Sequence, residues 1–240
     1  MTRILLHGAG RMSRRVLALI SECENYELAG LVSRSPAQDL SSVEQYASLE
    51  DFNSTADLLI DFTLPGGTRT AAGWCARHGV ALLSGTTGLT EEDIDALTKA
   101  ALKVPVLWAP NLSHGVALMT ELVRRAADVL GVRAKVSIKD IHHQHKVDAP
   151  SGTALSLAAA ITQGRAETMP ASGDLSFTSI REGEFVGEHT VGFELPGEVL
   201  EITHKALDRD VFANGALKAG DWLVGQGPGY YNTADWLGLN

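Results

Sequence analysis

Between Asp140 and Ala154 the chain reads Asp-Ile-His-His-Gln-His-Lys-Val-Asp-Ala-Pro-Ser-Gly-Thr-Ala, which concentrates three histidines, a lysine and two aspartates in fifteen residues. Histidine exchanges a proton near neutral pH and lysine carries a fixed positive charge, a combination suited to acid catalysis on an anionic substrate. Ser151 is a good N-cap, and the alanines of 154–160 with Leu155 and Leu157 favour a helix. A helix starting at Ser151-Gly152-Thr153 points backbone N–H groups at whatever lies in front of it, which binds carboxylate or phosphate. Gly152 lets a ligand approach that backbone, while His143 and Lys146 add positive charge just upstream.

Two other readings of the stretch compete with this one. The histidines could form the polar end of a strand, or His143 and His145, spaced i, i+2 on one strand face, could hold a metal. A metal site needs more ligands, and no cysteine or carboxylate stands at finger or H-E-x-x-H spacing, so the expectation is no metal. In a regular strand His142 and Lys146 share one face and His143 takes the other, so for all three to meet one substrate the strand must end or bend near residue 143.

Composition limits what such a site can serve. The 240 residues are 45% hydrophobic and 20% charged, with 20 Lys+Arg against 29 Asp+Glu and a net charge of −9. Such a chain is globular, with room for one large or two modest domains, and its surface repels nucleic acid and acidic headgroups. A small anion therefore needs a local positive site. Cys23 and Cys75 fall in helical patterns without metal-type spacing. With no signal pattern and no apolar run of membrane-spanning length, the expectation is a soluble, cytoplasmic protein with neither nucleic acid nor membrane as partner.

The elements that must position these residues follow from pattern. Residues 3–7 are a short apolar run meeting Gly8-Ala9-Gly10-Arg11-Met12-Ser13, after which Val16, Leu17, Leu19 and Ile20 recur at helical spacing. Strand, glycine turn and helix give the context of a dinucleotide fingerprint, with Ser13 where the third glycine usually stands. Strands are expected at 27–32, 57–63, 80–83 and 105–108, and helices around Trp74 and Cys75, over 91–102 and over 114–130. Alternation of this kind implies a Rossmann-like, doubly wound parallel sheet that binds ligands where strand ends emerge, as at Gly85-Thr86-Thr87. At the end of the second strand Ser33 stands where an acid would hold ribose hydroxyls, and Arg34 follows, which suits a 2′-phosphate. From Ala134 the period changes to strands near 136–138, 175–177, 189–195 and 199–204, the last two joined at Pro196-Gly197 as a hairpin. This second half is expected to be α+β on a mixed sheet, with His189 and His204 mainly as sheet residues. A further helix runs from Phe212 through Leu223.

The segment His142-His-Gln-His-Lys146-Val-Asp-Ala-Pro-Ser-Gly-Thr153 fills every fixed position of His-His-x-x-Lys-x-Asp-x-Pro-Ser-Gly-Thr, and so resembles the signature of the dihydrodipicolinate (4-hydroxy-tetrahydrodipicolinate) reductases. Ala109-Pro110-Asn111-Leu112-Ser113, Gly187-Glu-His189-Thr and Glu201-Ile-Thr-His204-Lys-Ala are similar to further segments of that family, and the resemblance covers nearly the whole chain. It implies NADPH- or NADH-dependent reduction of a cyclic dicarboxylate, with loss of the 4-hydroxyl as water and hydride delivery to C4, in the diaminopimelate route to lysine. His142 and Lys146 would be catalytic, and His143, Ser151, Gly152 and Thr153 would bind substrate. The cofactor would meet Gly8, Ala9, Gly10, Arg11, Met12, Ser33, Arg34, Gly85, Thr86, Thr87, Ala109, Pro110, Asn111 and Leu112. The resemblance also implies a dinucleotide domain of residues 1–112 and 216–240, a substrate-binding and assembly domain of residues 113–215, and a homotetramer. Two alternatives stand beside it. Another NAD(P)-dependent dehydrogenase would share residues 1–112 without needing the His142–Thr153 signature, and a dinucleotide-sensing protein that is no enzyme would not need acid groups beside an anion trap.

Overall fold

The computed structural model describes residues 1–35, 37–166 and 175–239; residues 36, 167–174 and 240, inside the expected domain ranges, lie outside the described part. Two compact units emerge, Met1–Leu112 with Asp210–Gly238, and Ser113–Arg209. The chain runs β1 (Thr2–His7), α1 (Arg11–Glu22), β2 (Tyr26–Val32), β3 (Gln45–Tyr46), β4 (Leu58–Asp61), α2 (Pro65–His78), β5 (Ala81–Ser84), α3 (Glu91–Ala101) and β6 (Pro105–Trp108) through the first unit. It builds the second from α4 (His114–Leu130), β7 (Lys135–His142), α5 (Gly152–Ala166), β8 (Leu175–Arg181), β9 (Gly187–Leu195) and β10 (Glu198–Ala206). It then returns to the first as α6 (Asp210–Val224), β11 (Gly229–Tyr231) and α7 (Thr233–Leu237).

In the first unit seven parallel strands lie in the order β11-β6-β5-β4-β1-β2-β3. Winding proceeds outward from β1 to β3, then resumes on the other side at β4, so the carboxyl ends of β1 and β4 flank the point where ligands bind in such sheets. The strands are apolar runs because both faces are covered. Ile4, Leu6 and Ile60 pack with Val16, Ile20, Ala216 and Leu217, whereas Leu5, Leu59 and Leu82 pack with Ala71, Trp74, Cys75 and Leu97. The return helix α6 sits very close to the end of β6's following segment: a Cβ on Gly215 would lie 1.9 Å from the carbonyl oxygen of Leu112, so only glycine fits there.

The second unit carries a mixed sheet in the order β10-β9-β7-β8, with β8 parallel and β9 antiparallel to β7. β9 and β10 form the expected hairpin, and Gly197 turns it with φ of +89°. β7 alternates in burial: Val136, Ile138, Asp140 and His142 point inward, while Lys135, Ser137 and Lys139 face solvent. Val136 and Ile138 join Met119, Val123, Leu157, Ile161, Val191 and Phe193 in the core. The same inward face becomes polar at Asp140 and His142, at the carboxyl end of the strand. Both the doubly wound parallel sheet and the second α+β layer thus match the sequence expectation. The third large strand is shorter than its expected 57–63, because residues after Asp61 bend towards α2, and the strand expected at 175–177 continues to Arg181. Among the described residues no helix is long and apolar enough to cross a membrane.

Candidate functional site

Asp140 and His142 are neighbours on the inner face of β7, and the carboxylate between them and the adjoining strands is 1% exposed. Its Oδ1 lies 3.1 Å from His142 Nδ1 and accepts from Arg181 Nη1 at 2.7 Å. Its Oδ2 accepts from the Ser179 hydroxyl at 2.7 Å and from the Ser151 backbone N–H at 3.3 Å. Register explains the gathering: Asp140 lies opposite Ser179 on β8 and His189 on β9, and His142 opposite Arg181. Burial pushes the Asp140 carboxyl up, but the bonds from Ser179, Arg181 and the Ser151 amide hold it below its ordinary value. It is therefore ionised at neutral pH.

β7 stops at His142, as the spacing required, and the chain leaves it in a loop pinned to the β8–β9 turn. His143 N–H donates to the Phe185 carbonyl at 2.9 Å, and Glu182 N–H to the His142 carbonyl at 3.0 Å. His143 heads this loop half-buried, and its ring lies 6.2 Å from that of the exposed His145. Among the described residues no three His, Cys, Asp or Glu side chains converge on a position for a metal. Lys146 Nζ pairs with Asp148 Oδ1 at 2.8 Å. Arg181 Nη2 reaches the Asp148 carbonyl at 2.5 Å, and the loop closes through a cis Ala149–Pro150 bond into α5.

Ser151 caps α5: its hydroxyl accepts from Ala154 N–H at 3.2 Å and lies 3.1 Å from His189 Nε2. The expected cap is thus present, and the Ser151 side chain, 1% exposed, faces inward. Gly152 and Thr153 open the helix, and a Cβ on Gly152 would meet nothing within 4 Å, so the approach to this backbone is clear. Around His142 the imidazoles accumulate. His189 stands edge-on to it with ring centroids 5.1 Å apart, and His204 is the cross-strand partner of His189. Burial, then the Lys146 charge, presses His142 below its ordinary value against the pull of Asp140. Burial and the His142 charge bring His189 down to about 4.

In the first unit a cavity of ≈750 Å³ lies at the carboxyl ends of β1, β2 and β4. Gly8, Ala9, Gly10, Ser33 and Arg34 line it, together with His7, Phe62, Thr63 and the start of α2 at Gly66 and Gly67. Gly8 has φ of +101°, and a Cβ there would lie 2.8 Å from the Phe62 carbonyl oxygen, so the turn demands glycine. Helix α1 begins after Gly10 with no side-chain cap and no acid in its first turn, and a Cβ on Gly10 would meet nothing. That open positive end suits a pyrophosphate. Exposed Arg11 and half-buried Met12 form the first turn of α1. Exposed Arg34 has no ion-pair partner among the described residues, whereas Arg14 is engaged with Asp39 and the Ala9 carbonyl. Ser33 turns its hydroxyl to the Ser35 carbonyl.

Gly85, Thr86, Thr87 and the 109–112 segment follow β5 and β6 and do not line this cavity. Thr86 is buried, donating to Asp61 at 3.0 Å and accepting from the Trp108 indole at 2.9 Å, while Thr87 and Pro110 are exposed, Asn111 half-buried, and Ala109 and Leu112 buried. A Cβ on Gly85 would lie 2.2 Å from the Phe62 ring. Asp61, fully buried, accepts from Thr63, Thr68 and Ser84 as well as Thr86. His7 Nδ1 lies 3.2 Å from its Oδ1 without hydrogen-bond geometry. Despite burial, His7 and these hydroxyls hold the Asp61 carboxyl below its ordinary value.

Residues 2–112 match the family described as "Dihydrodipicolinate reductase, N-terminus", and residues 115–237 its "C-terminus". The chain belongs to the dihydrodipicolinate reductase family. It is 43% identical over 237 residues to a protein of Xanthomonas euvesicatoria named 4-hydroxy-tetrahydrodipicolinate reductase, covering 97% of this chain and 96% of that one. A protein of the same name from Alkalilimnicola ehrlichii is 40% identical, with 99% of each chain covered. The fold is that of a dipicolinate-bound dihydrodipicolinate reductase from a Paenisporosarcina species, with a TM-score of 0.77 at 22% identity and 97% of each chain covered. Family signature residues in this chain therefore sit on a network that the signature does not spell out. Asp140 was visible as the residue two before His142, on the same strand face, but Ser179, Arg181 and His189 enter only through sheet register. Asp61, His7 and the α2 start were missed in the first unit, where Pro65-Gly66-Gly67 after a strand was the available signal.

The buried imidazoles make acid sensitivity measurable. A histidine held near 4 when folded and near 6.5 when unfolded takes up its proton first in the unfolded state, so stability falls as pH drops from about 6.5 to 4 and levels off below. Urea unfolding across this range should show that loss, and His189→Gln should reduce it by about 3 kcal/mol. An unchanged slope in the variant would show that His189 is protonated in the folded protein. The depressed carboxyls Asp140 and Asp61 act lower, their stabilisation being lost only as pH falls through their own folded values.

Proposed function

We propose that this chain reduces 4-hydroxy-tetrahydrodipicolinate to tetrahydrodipicolinate with loss of water, using NADPH or NADH, in the diaminopimelate route to lysine. One observation carries the reading: the whole His142–Thr153 signature is mounted on an ionised, buried Asp140 and ends in an open helix start. The alternative of another dehydrogenase leaves that assembly without a use, as does a dinucleotide sensor.

The nicotinamide, when bound, supplies the hydride. The chain's own residues do the rest. Gly152 and Thr153 present the helix start to a substrate carboxylate, Lys146 exchanges Asp148 for that carboxylate, and His143 adds a second contact. Ser151 acts from below by fixing the helix start. His142 exchanges the proton for the carbon next to C4. Gly8, Ala9, Gly10, Arg11 and Met12 receive the pyrophosphate, and Arg34 the 2′-phosphate of NADPH, with Ser33 beside it offering no repelling charge. Gly85, Thr86, Thr87, Ala109, Pro110, Asn111 and Leu112 serve the nicotinamide side. Residues 1–112 and 216–240 make the dinucleotide domain, and residues 113–215 bind substrate and build a homotetramer. The exposed Phe177, Val199 and Leu200 of the second sheet support that assembly. The protein works in the cytoplasm.

Fresh synthase product, NADPH and the protein, followed by nicotinamide absorbance, test the activity directly; no substrate-dependent loss of absorbance would refute it. In that assay His142→Gln and Lys146→Gln should each lower kcat by about 10²–10⁴-fold while NADPH still binds, and Lys146→Gln should raise KM as well. His143→Gln should mainly raise KM. Near-normal kcat in His142→Gln with loss in His143→Gln would exchange the two roles.

Cofactor choice gives a separate test. NADPH should serve at least as well as NADH, and Arg34→Ala should reduce kcat/KM for NADPH while sparing NADH. A strong NADH preference, or an NADPH value untouched by the substitution, would take Arg34 out of this role.

A further inference from the structure

Proton exchange by His142 needs one ring nitrogen turned outward in a defined protonation state, and nothing in the signature sets which. The setting is made from behind. An ionised carboxylate only accepts, so the His142 nitrogen 3.1 Å from Asp140 Oδ1 must carry the hydrogen. Nε2 is then the exchanging atom, and Gly187 leaves it room, since a Cβ there would come within 3.0 Å of Nε2.

Arg181 completes the device. It donates to the same Oδ1 at 2.7 Å and to the Asp148 carbonyl at 2.5 Å, while Oδ2 holds the Ser151 amide at 3.3 Å. The far end of the catalytic loop, from Asp148 to Ser151, is thereby tied to the strand that carries His142. We propose that Asp140 is a positioning residue for the reduction. Paired with Arg181, it fixes His142 in the Nδ1–H tautomer with Nε2 outward, and anchors the loop that carries Lys146.

This rests on His142 as the proton-exchanging group. The charged and titratable groups facing that ring are Asp140 on β7, Lys146 in the loop, Arg181 on β8 and His189 on β9. Asp140 alone favours the imidazolium, so its charge matters as well as its shape. Asp140→Asn keeps the size but removes the charge and allows the amide to present a donor.

The test combines ring ¹⁵N NMR of His142, assigned against His142→Gln, with the pH profile of kcat in Asp140→Asn and Arg181→Gln. The wild type should show the Nδ1–H tautomer when neutral. Asp140→Asn should populate the Nε2–H form, move the His142 ionisation to lower pH and lower kcat by about 10²-fold, with NADPH affinity unchanged. Arg181→Gln leaves the carboxylate in place and removes a positive neighbour, so it should move the ionisation to higher pH. General weakening of the fold would not shift two variants in opposite directions. An unchanged tautomer and profile in Asp140→Asn would overturn the proposal; if that variant does not fold, an unmoved profile in Arg181→Gln overturns it. Full turnover in His142→Gln would instead overturn the assignment beneath it, and the tautomer, read without turnover, keeps the two failures apart.

Discussion

A carboxylate buried as deeply as Asp140 has to be met at every lone pair, because an uncompensated charge in that position costs several kcal/mol. The second unit meets it with four groups from three segments: a ring nitrogen from its own strand, a hydroxyl and a guanidinium from β8, and the backbone amide before α5. Satisfying the charge and arranging the site are thus one event. The strand ends just after its inner face turns polar at Asp140 and His142, the loop is held by Arg181, and the helix start is drawn up against the strand. Removing one partner would leave the buried charge under-compensated, which ties stability to the geometry of the proposed site.

The first unit meets its own buried carboxylate mainly with hydroxyls, with His7 3.2 Å away. Asp61 ends β4 and gathers the hydroxyls of Thr63, Thr68, Ser84 and Thr86, so the segments leaving β4 and β5 are fixed to one point beside the switch in strand order. That point borders the glycine turn after β1, where Gly8 packs on the Phe62 carbonyl. A dinucleotide cradle needs a rigid floor and an open mouth. In the proposed cradle Asp61 supplies the floor, while α1, with no side-chain cap, and Arg34, with no ion-pair partner among the described residues, leave the mouth positive.

Much of this was legible in the sequence. Both sheets follow from period and glycine placement, since buried parallel strands read as short apolar runs and the second half switches to strand alternation. The end of β7 near residue 143 follows from side-chain alternation once His142, Lys146 and His143 are required to meet one substrate. Cross-strand partners were not legible. Arg181 lies 41 residues from Asp140, and its place opposite His142 is set by sheet register, which no local pattern encodes. β3 and β11 went unread because strands of two and three residues leave no periodicity. Asp61 falls inside the expected strand over 57–63 and is not legible as a hub, since the hydroxyls that meet it come from three separate segments.

The most direct check of the account is a crystal structure of the protein with dipicolinate bound. One carboxylate should lie within about 3 Å of the Gly152 and Thr153 amides, with Lys146 turned from Asp148 towards it, His142 Nε2 facing the ring, and all four bonds to Asp140 intact. Dipicolinate bound away from the α5 start, or a His142 ring detached from Asp140 in that complex, would contradict it.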